Sequence, residues 1–152
     1  MKPIIGIFLG ETAGVGPELV AKLVADKVPY KYCRPVLIGD ARVLRQGMEI
    51  SHVDFPFTCV ESVDQVDWDG PISIIDLKNI DPKTVKIGTV DPASGKVTGD
   101  TLVYSMDLLK QHQIDGFVFG PLNKQAFKLG GYHVEDEHVL FAQCLDWLDK
   151  PR

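Results

Sequence analysis

Apolar residues fall along the chain in five short runs, each bounded by glycine, proline or charged residues. Residues 4–9 and 35–39 are continuous apolar stretches, which are typical of strands buried on both faces of a parallel sheet. A similar short run lies at 115–120, and less regular strand candidates lie at 53–60 and 72–77. The pattern therefore predicts a mainly parallel sheet.

Between these runs the apolar residues return at three- and four-residue spacing, which indicates amphipathic helices. Strands that alternate with helices are the signature of an α/β fold with flanking helices. No repeat, low-complexity segment or internal linker divides the chain, so one domain is expected. The predicted helices occupy residues 17–26, 41–46, 102–110, a short segment ended by Gly130 and Gly131, and 136–148.

Local signals set several of these boundaries. Pro17 suits the first turn of a helix, Asp40 can cap the second helix, and Gly47 can end it. Residues 81–100 contain two prolines and three glycines, which predicts a loop with short strands at most.

Composition narrows the class of protein. The 152 residues carry a net charge of −5 and no long basic run, which argues against a nucleic-acid partner. No apolar stretch approaches the roughly 18 residues of a membrane span, so no membrane partner is expected. Cys33, Cys59 and Cys144 are odd in number and far apart, which favours free thiols in a reducing cytoplasm over a disulfide framework.

The sequence GETAGVGPEL, residues 10–19, joins the first strand to the first helix. Gly10, Gly14 and Gly16, with Glu11 between them, allow a sharp turn and close approach of a ligand. The helix that follows offers N–H groups suited to phosphate or carboxylate. The spacing matches neither a Walker A loop nor the dinucleotide fingerprint, so a plain strand-to-helix turn remains an equal alternative.

Gly120-Pro-Leu-Asn-Lys124 follows a predicted buried strand, at the edge where open α/β sheets bind ligands. The Asn123 amide can form hydrogen bonds, and the Lys124 ammonium can meet an anion or a developing oxyanion. The alternative is a helix cap followed by a solvated lysine.

His133-Val-Glu-Asp-Glu-His138 holds two histidines and three carboxylates, residue types that ligate metals. His133 and His138 would not share a helical face, whereas Glu135 and His138 could. A charged helix N-terminus, with acids placed to suit the helix dipole, is the favoured interpretation.

Three stretches together resemble the family of 4-hydroxythreonine-4-phosphate dehydrogenase and its relatives. GETAGVGPEL resembles its opening signature, Gly-Asp/Glu-Pro-Ala-Gly-Ile/Val-Gly-Pro-Glu. DGFVFGPLNKQAFKLGGY, residues 115–132, resembles its central signature, in which a strand leads into Gly-Pro-Ile/Leu-Asn-Lys. Residues 95–99, GKVTG, fall where the family has a glycine-containing loop before a helix. The match covers essentially the whole chain and about the first half of the family's length.

This resemblance implies an isocitrate/isopropylmalate-dehydrogenase-like fold and a homodimer. It also implies the oxidation and decarboxylation of a small phosphorylated four-carbon hydroxy acid, such as 4-phosphohydroxythreonine. NAD or NADP and a divalent metal (zinc, magnesium or cobalt) would be the cofactors. On the matching positions Lys124 is the candidate catalytic residue, and Asn123, Glu137 and His138 are candidates for binding substrate.

The chain departs from the family pattern at two places. Thr12 stands where proline is usual. The family also has Gly-His-Thr-Glu after its central signature; without a gap, Glu137 falls at the His position and His138 at the Thr position. A shift of one residue instead places His138 at the His position.

The resemblance places the family's three metal-binding histidines, and most of its nucleotide-binding residues, beyond residue 152. We therefore expect residues 1–152 to be the N-terminal part of a dehydrogenase, with no metal ligands of its own. One alternative is a catalytically inactive module that binds an anion or a partner. Another is a degenerate fragment without function.

Overall fold

In a computed structural model that describes residues 1–147, all five strand candidates join one sheet. Each pair of neighbouring strands is parallel, and the order across the sheet is β3-β4-β2-β1-β5. The expected mainly parallel α/β architecture is confirmed. The strands are β1 (Ile4–Phe8), β2 (Arg34–Gly39), β3 (Phe57–Val60), β4 (Ile72–Asp76) and β5 (Gly116–Phe119).

Helices cover both faces of the sheet because consecutive strand residues point to opposite faces. Leu37 of β2 lies in the apolar cluster that contains residues of the first two helices, whereas its neighbours Val36 and Ile38 lie in a second cluster with Leu108. In the part of the chain that is described, no helix is long and apolar enough to cross a membrane. The helices are α1 (Gly16–Ala25), α2 (Ala41–Ser51), α3 (Pro92–Lys110), α4 (Lys124–Leu129) and α5 (Glu137–Cys144).

The prediction that Gly47 ends α2 was wrong, because the helix continues to Ser51 and is closed by His52 in the left-handed conformation. Gly47 lies where α2 crosses α1, and a Cβ there would collide with the backbone of Pro17. The glycine therefore allows close helix packing. The predicted cap was right: the Asp40 carboxylate accepts a hydrogen bond from the Arg42 N–H.

The prediction of a loop through residues 81–100 was wrong in its second half. The helix α3 begins at Pro92, capped by Asp91, whose carboxylate accepts a hydrogen bond from the Ser94 N–H at 2.7 Å. Gly95 and Gly99, expected in a loop, lie within this helix and are buried. A Cβ at Gly95 would overlap the Ala126 carbonyl, so the helix carries glycine there to let α4 approach.

Two other elements are shorter than predicted. The strand expected over 53–60 forms only at Phe57–Val60, directly after Pro56, which lacks the N–H that a strand ladder uses. The last helix ends at Cys144, short of the predicted 148, and residue 148 lies outside the described residues. Asp136 is its cap.

Candidate functional site

The order in which the strands are added to the sheet reverses at β1. The chain adds β2, β4 and β3 to one side of β1, and β5 to the other. Ligands of open parallel sheets bind outside the carboxyl ends of the strands at such a reversal. The turn after β1, residues 10–16, and the turn after β5, residues 120–124, both lie at this place.

These two turns touch through their backbones. A Cβ on Gly10 would lie 2.9 Å from the Cα of Gly120, and Gly10 has a φ of +84°. A Cβ on Gly16 would overlap the Leu9 carbonyl oxygen. Close backbone packing therefore accounts for glycine at both positions. Gly14 differs, because it is exposed and a Cβ there would meet nothing nearer than 3.5 Å.

Glu11 links the two turns through its side chain and its backbone. Its carboxylate Oε2 accepts a hydrogen bond from the Asn123 N–H at 2.7 Å, and its own N–H donates to the Pro121 carbonyl at 3.3 Å. The residue is 3% exposed, and no hydrogen bond reaches the second carboxylate oxygen, Oε1. A buried acidic residue thus joins segments that are 112 positions apart in the sequence.

Burial raises the pKa of the Glu11 carboxyl above its ordinary value, since the charged form loses its hydration. The Asn123 N–H and the Ser94 hydroxyl oppose this rise, and the charge of Asp91 adds to it. The candidate site therefore contains a carboxyl group that protonates more readily than an exposed glutamate.

Hydrogen bonds within the protein engage three N–H groups of the turn after β1. The Ala13 N–H donates to the Ser94 hydroxyl oxygen at 3.1 Å, and the Gly14 N–H donates to the Glu11 carbonyl at 3.0 Å. Together with the Glu11 N–H, three donors of the turn stabilise its own conformation. These N–H groups are therefore not free to bind an anion.

A cavity of about 330 Å³ opens beside the two turns. Gly88, Thr89 and Val90 form a third wall, held by a hydrogen bond from the Gly88 N–H to the Ala13 carbonyl at 2.8 Å. The sequence analysis missed this wall and missed Ser94. The Asp-Pro-Ala-Ser stretch at 91–94 was the available signal, because aspartate followed by proline marks a helix start.

Asn123 and Lys124 occupy the end of the second turn. The Asn123 side-chain oxygen accepts a hydrogen bond from the Ala126 N–H at 3.0 Å and caps α4. Lys124 is the first residue of α4 and is exposed. The structure thus brings Asn123 into direct contact with Glu11 and places Lys124 at the rim of the same edge.

Glu137 and His138 form the first turn of α5, behind the cap Asp136. His138 is 90% exposed, with its Nδ1 at 3.8 Å from the Asp136 carboxylate. Among the bonds found for residues 1–147, none joins Glu137 or His138 to Glu11. His133 and Glu135 precede the helix, so Glu135 and His138 do not share a helical face. Asp136 and Glu137 instead form the acidic helix N-terminus that the sequence analysis favoured.

A second acidic group lies at the carboxyl ends of β2 and β4, and the sequence analysis named only its Asp40, as a helix cap. The Asp40 carboxylate accepts hydrogen bonds from the Arg42 guanidinium at 2.9 Å and from the Ile80 N–H at 3.2 Å. Burial favours a higher pKa for Asp40, but these bonds and the Arg42 charge outweigh it and lower the pKa. Asp76 accepts a hydrogen bond from the Ala41 N–H at 3.0 Å, so both carboxylates stabilise the loop connections.

The described residues do not fit a divalent metal. A catalytic metal uses about three protein ligands, and residues 1–147 contain no cluster of three His, Cys, Asp or Glu side chains suited to one. A dinucleotide pyrophosphate would need free N–H groups in the turn after β1, where Glu11, Ala13 and Gly14 already use theirs. Residues 1–147 therefore form no metal site by themselves, and these three N–H groups are not available to a pyrophosphate.

The fold is an α/β fold built on one parallel sheet, with a cavity at the edge where sheets of this type bind ligands. The sequence profile of the family described as "Pyridoxal phosphate biosynthetic protein PdxA" matches residues 31–149. The chain belongs to the PdxA family, which confirms the resemblance drawn from the signature stretches.

Relatives support this membership across both turns. A protein from Clostridium botulinum named "Putative D-threonate 4-phosphate dehydrogenase" is 35% identical over 149 residues, covering 97% of this chain and 45% of the relative. A protein of the same name from Oceanobacillus iheyensis is 36% identical over 145 residues, covering 93% and 43%. The chain thus spans less than half the length of these relatives.

Solved structures agree with the architecture. A 4-hydroxythreonine-4-phosphate dehydrogenase from Burkholderia phymatum superposes with a TM-score of 0.89 at 29% identity, over 96% of this chain and 44% of that one. The enzyme of the same name from Klebsiella pneumoniae gives 0.86 at 22% identity, over 95% and 45%, a likeness of fold alone. Each covers the turns after β1 and β5 within one shared fold.

Proposed function

We propose that this chain is the N-terminal part of a dehydrogenase that oxidises a small phosphorylated four-carbon hydroxy acid. The observation that carries the proposal is the junction of the two signature turns at the reversal of the sheet, where Glu11 accepts the Asn123 N–H at 2.7 Å. The relatives named for D-threonate 4-phosphate, and the solved enzymes named for 4-hydroxythreonine-4-phosphate, support this substrate class.

The finer features of the proposal rest on the family. They are an isocitrate/isopropylmalate-dehydrogenase-like fold, a cytoplasmic homodimer, a role in pyridoxine biosynthesis, and decarboxylation after oxidation. Dependence on NAD or NADP and on zinc, magnesium or cobalt belongs to the same group. Since residues 1–147 contain no cluster of side chains suited to a metal, we assign them no step that passes through a cofactor.

In this proposal the chain's own residues bind and orient the substrate. Lys124 is exposed and directly follows Asn123, which lines the cavity, and its ammonium can attract an anionic group or stabilise a developing oxyanion. Asn123 keeps a side-chain amide donor available, because its oxygen caps α4. Glu137 and His138, in the first turn of α5, are the further candidates for contacting substrate.

The first experiment is to measure the intact mass of the protein as its source cells make it, and then to assay that protein. The assay follows the formation of reduced nicotinamide with D-threonate 4-phosphate or 4-phosphohydroxythreonine, each tested with NAD or NADP and with each metal. A mass well above 16.8 kDa together with turnover supports the proposal. Binding of the substrate without turnover supports the alternative of an inactive anion-binding module.

A further inference from the structure

The carboxyl group of Glu11 lies in a buried place that disfavours its charge. No hydrogen bond is found for Oε1, and the charge of Asp91 adds to the rise in pKa, while the Asn123 N–H and the Ser94 hydroxyl only partly oppose it. A buried acceptor without a partner lowers stability. The Gly14 N–H to Glu11 carbonyl bond holds the turn through its backbone, so the side chain of Glu11 is left to interact with other segments.

The carboxylate instead acts on the other turn. Oε2 accepts the N–H of Asn123, the residue whose side chain caps α4 and which directly precedes Lys124. The backbone bond from the Glu11 N–H to Pro121 fixes the same turn two residues earlier. Glu11 therefore holds the backbone from Pro121 to Asn123 at two points.

We propose that Glu11 is a positioning residue, whose buried carboxylate fixes the Asn123–Lys124 backbone against the turn after β1 and so sets where these side chains meet the substrate. The inference rests on the proposed function. Glu11 performs this role by accepting a hydrogen bond, and the role does not depend on its negative charge. A neutral side chain that accepts the Asn123 N–H should therefore fulfil it as well. A displacement of about 1 Å in such a group lowers turnover by about a hundredfold.

The test compares Glu11→Ala, Glu11→Gln and the control Glu49→Ala, an exposed glutamate on α2, in the protein as its source cells make it. Backbone amide resonances of Asn123 and Lys124 report the position of the turn. We expect them to move in Glu11→Ala and to stay near their native positions in Glu11→Gln and Glu49→Ala. Unmoved resonances in Glu11→Ala would overturn the inference.

Steady-state kinetics with the phosphorylated substrate test the consequence. We expect kcat to fall about a hundredfold in Glu11→Ala, with KM within about threefold, and to recover to within about threefold of native in Glu11→Gln. In a Lys124→Ala background, Glu11→Ala should lower kcat by no more than about threefold further, because both changes act on one group. A Glu11→Gln variant as slow as Glu11→Ala contradicts positioning by an acceptor.

The two proposals fail in different ways. If the native protein turns over neither substrate, the proposed function fails, while the amide resonances still decide whether Glu11 holds the turn. If the native protein is active and Glu11→Ala is equally active, the function stands and the inference about Glu11 falls. Thermal unfolding of each variant identifies a loss of activity that comes from unfolding alone.

Discussion

Gly10 and Gly120 meet backbone to backbone, so that a Cβ on Gly10 would lie 2.9 Å from the Cα of Gly120. The contact joins the ends of β1 and β5 at the point where the sheet reverses its order of growth. The distance between the two turns is therefore limited by main-chain contact, and the side-chain hydrogen bond of Glu11 adds to it.

This contact predicts that Gly10→Ala is strongly destabilising. The methyl group must displace Gly120, and alanine disfavours the φ of +84°, so we expect a loss of about 3 kcal/mol in the free energy of unfolding. Gly14→Ala is the matched control in the same turn, with no contact below 3.5 Å, and should change stability by less than about 1 kcal/mol. Denaturant titration of both variants measures the difference; equal stabilities would contradict the packing argument.

Glu11 predicts a pH dependence of stability. The pKa of its carboxyl is raised in the fold above the ordinary value of 4.5, so the folded protein binds more protons than the unfolded chain between these two values. The contribution of Glu11 to stability is therefore greatest at low pH, and falls as pH rises from about 4.5 through the raised pKa. Thermal unfolding of native protein and Glu11→Gln across this range should show the native protein losing stability relative to the variant. Parallel curves would refute this assignment.

Asp40 predicts the opposite dependence. Its pKa is held below the ordinary value of 3.8, because hydrogen bonds from Arg42 and Ile80 and the Arg42 charge exceed the effect of burial. Its stabilisation is complete above 3.8, and is lost as pH falls through the lower, folded pKa. We expect Asp40→Asn to cost about 1–3 kcal/mol near neutral pH and progressively less in acid, measured by unfolding in urea. A cost that does not change with pH would show that the ionised form carries no advantage.

A glycine-to-alanine change inside α3 should also destabilise, although alanine ordinarily favours a helix by about 1 kcal/mol. A Cβ at Gly99 would overlap the ring of Tyr132, which stacks on Phe127 at 4.8 Å and donates its hydroxyl to Asp100. We expect Gly99→Ala to lose about 1–3 kcal/mol by differential scanning calorimetry. Lys96→Ala, on the exposed side of the same helix, should change stability by less than about 1 kcal/mol.

Lys124→Ala tests the proposed electrostatic or proton-transfer role. Because Lys124 is exposed at the start of α4, the variant should retain the native melting temperature while turnover falls about a hundredfold. Lys128→Ala, exposed in the last turn of the same helix, is the control and should keep native turnover. Unchanged turnover in Lys124→Ala would remove this residue from the proposed chemistry.

The sequence predicted the sheet well because buried parallel strands are continuous apolar runs, as at residues 35–39. It failed for the first half of α3, where Gly95 and Gly99 resemble helix breakers and are in fact contact points for α4 and Tyr132. That packing depends on segments more than 25 residues away, which local patterns do not contain.

The candidate site was also predicted only in part. The glycines of the first turn and the Asn-Lys pair are visible as local motifs, and the structure brings Glu11 and Asn123 together. The wall at Gly88 was missed because it is joined to Ala13 by one backbone hydrogen bond and carries no motif of its own. Ser94 was missed because residues 81–100 were interpreted as a loop, although the Asp-Pro pair at 91–92 marks a helix start. The roles of Glu137 and His138 remain predictions, since their placement in α5 gives no direct link to the Glu11–Asn123 contact.

The helix α4 rests on α3 where Gly95 leaves room for the Ala126 carbonyl and where Gly130 lies against the backbone of Lys96. The turn that carries Asn123 and Lys124 thus leads directly into α4, and α4 packs on α3 through main-chain atoms. A design that moved this turn alone onto another scaffold would lose the contacts between α4 and α3 that support it. A unit that keeps the turn in place must therefore contain the glycine-bearing helix and the turn, residues 91–131, together with the turn after β1 that supplies Glu11.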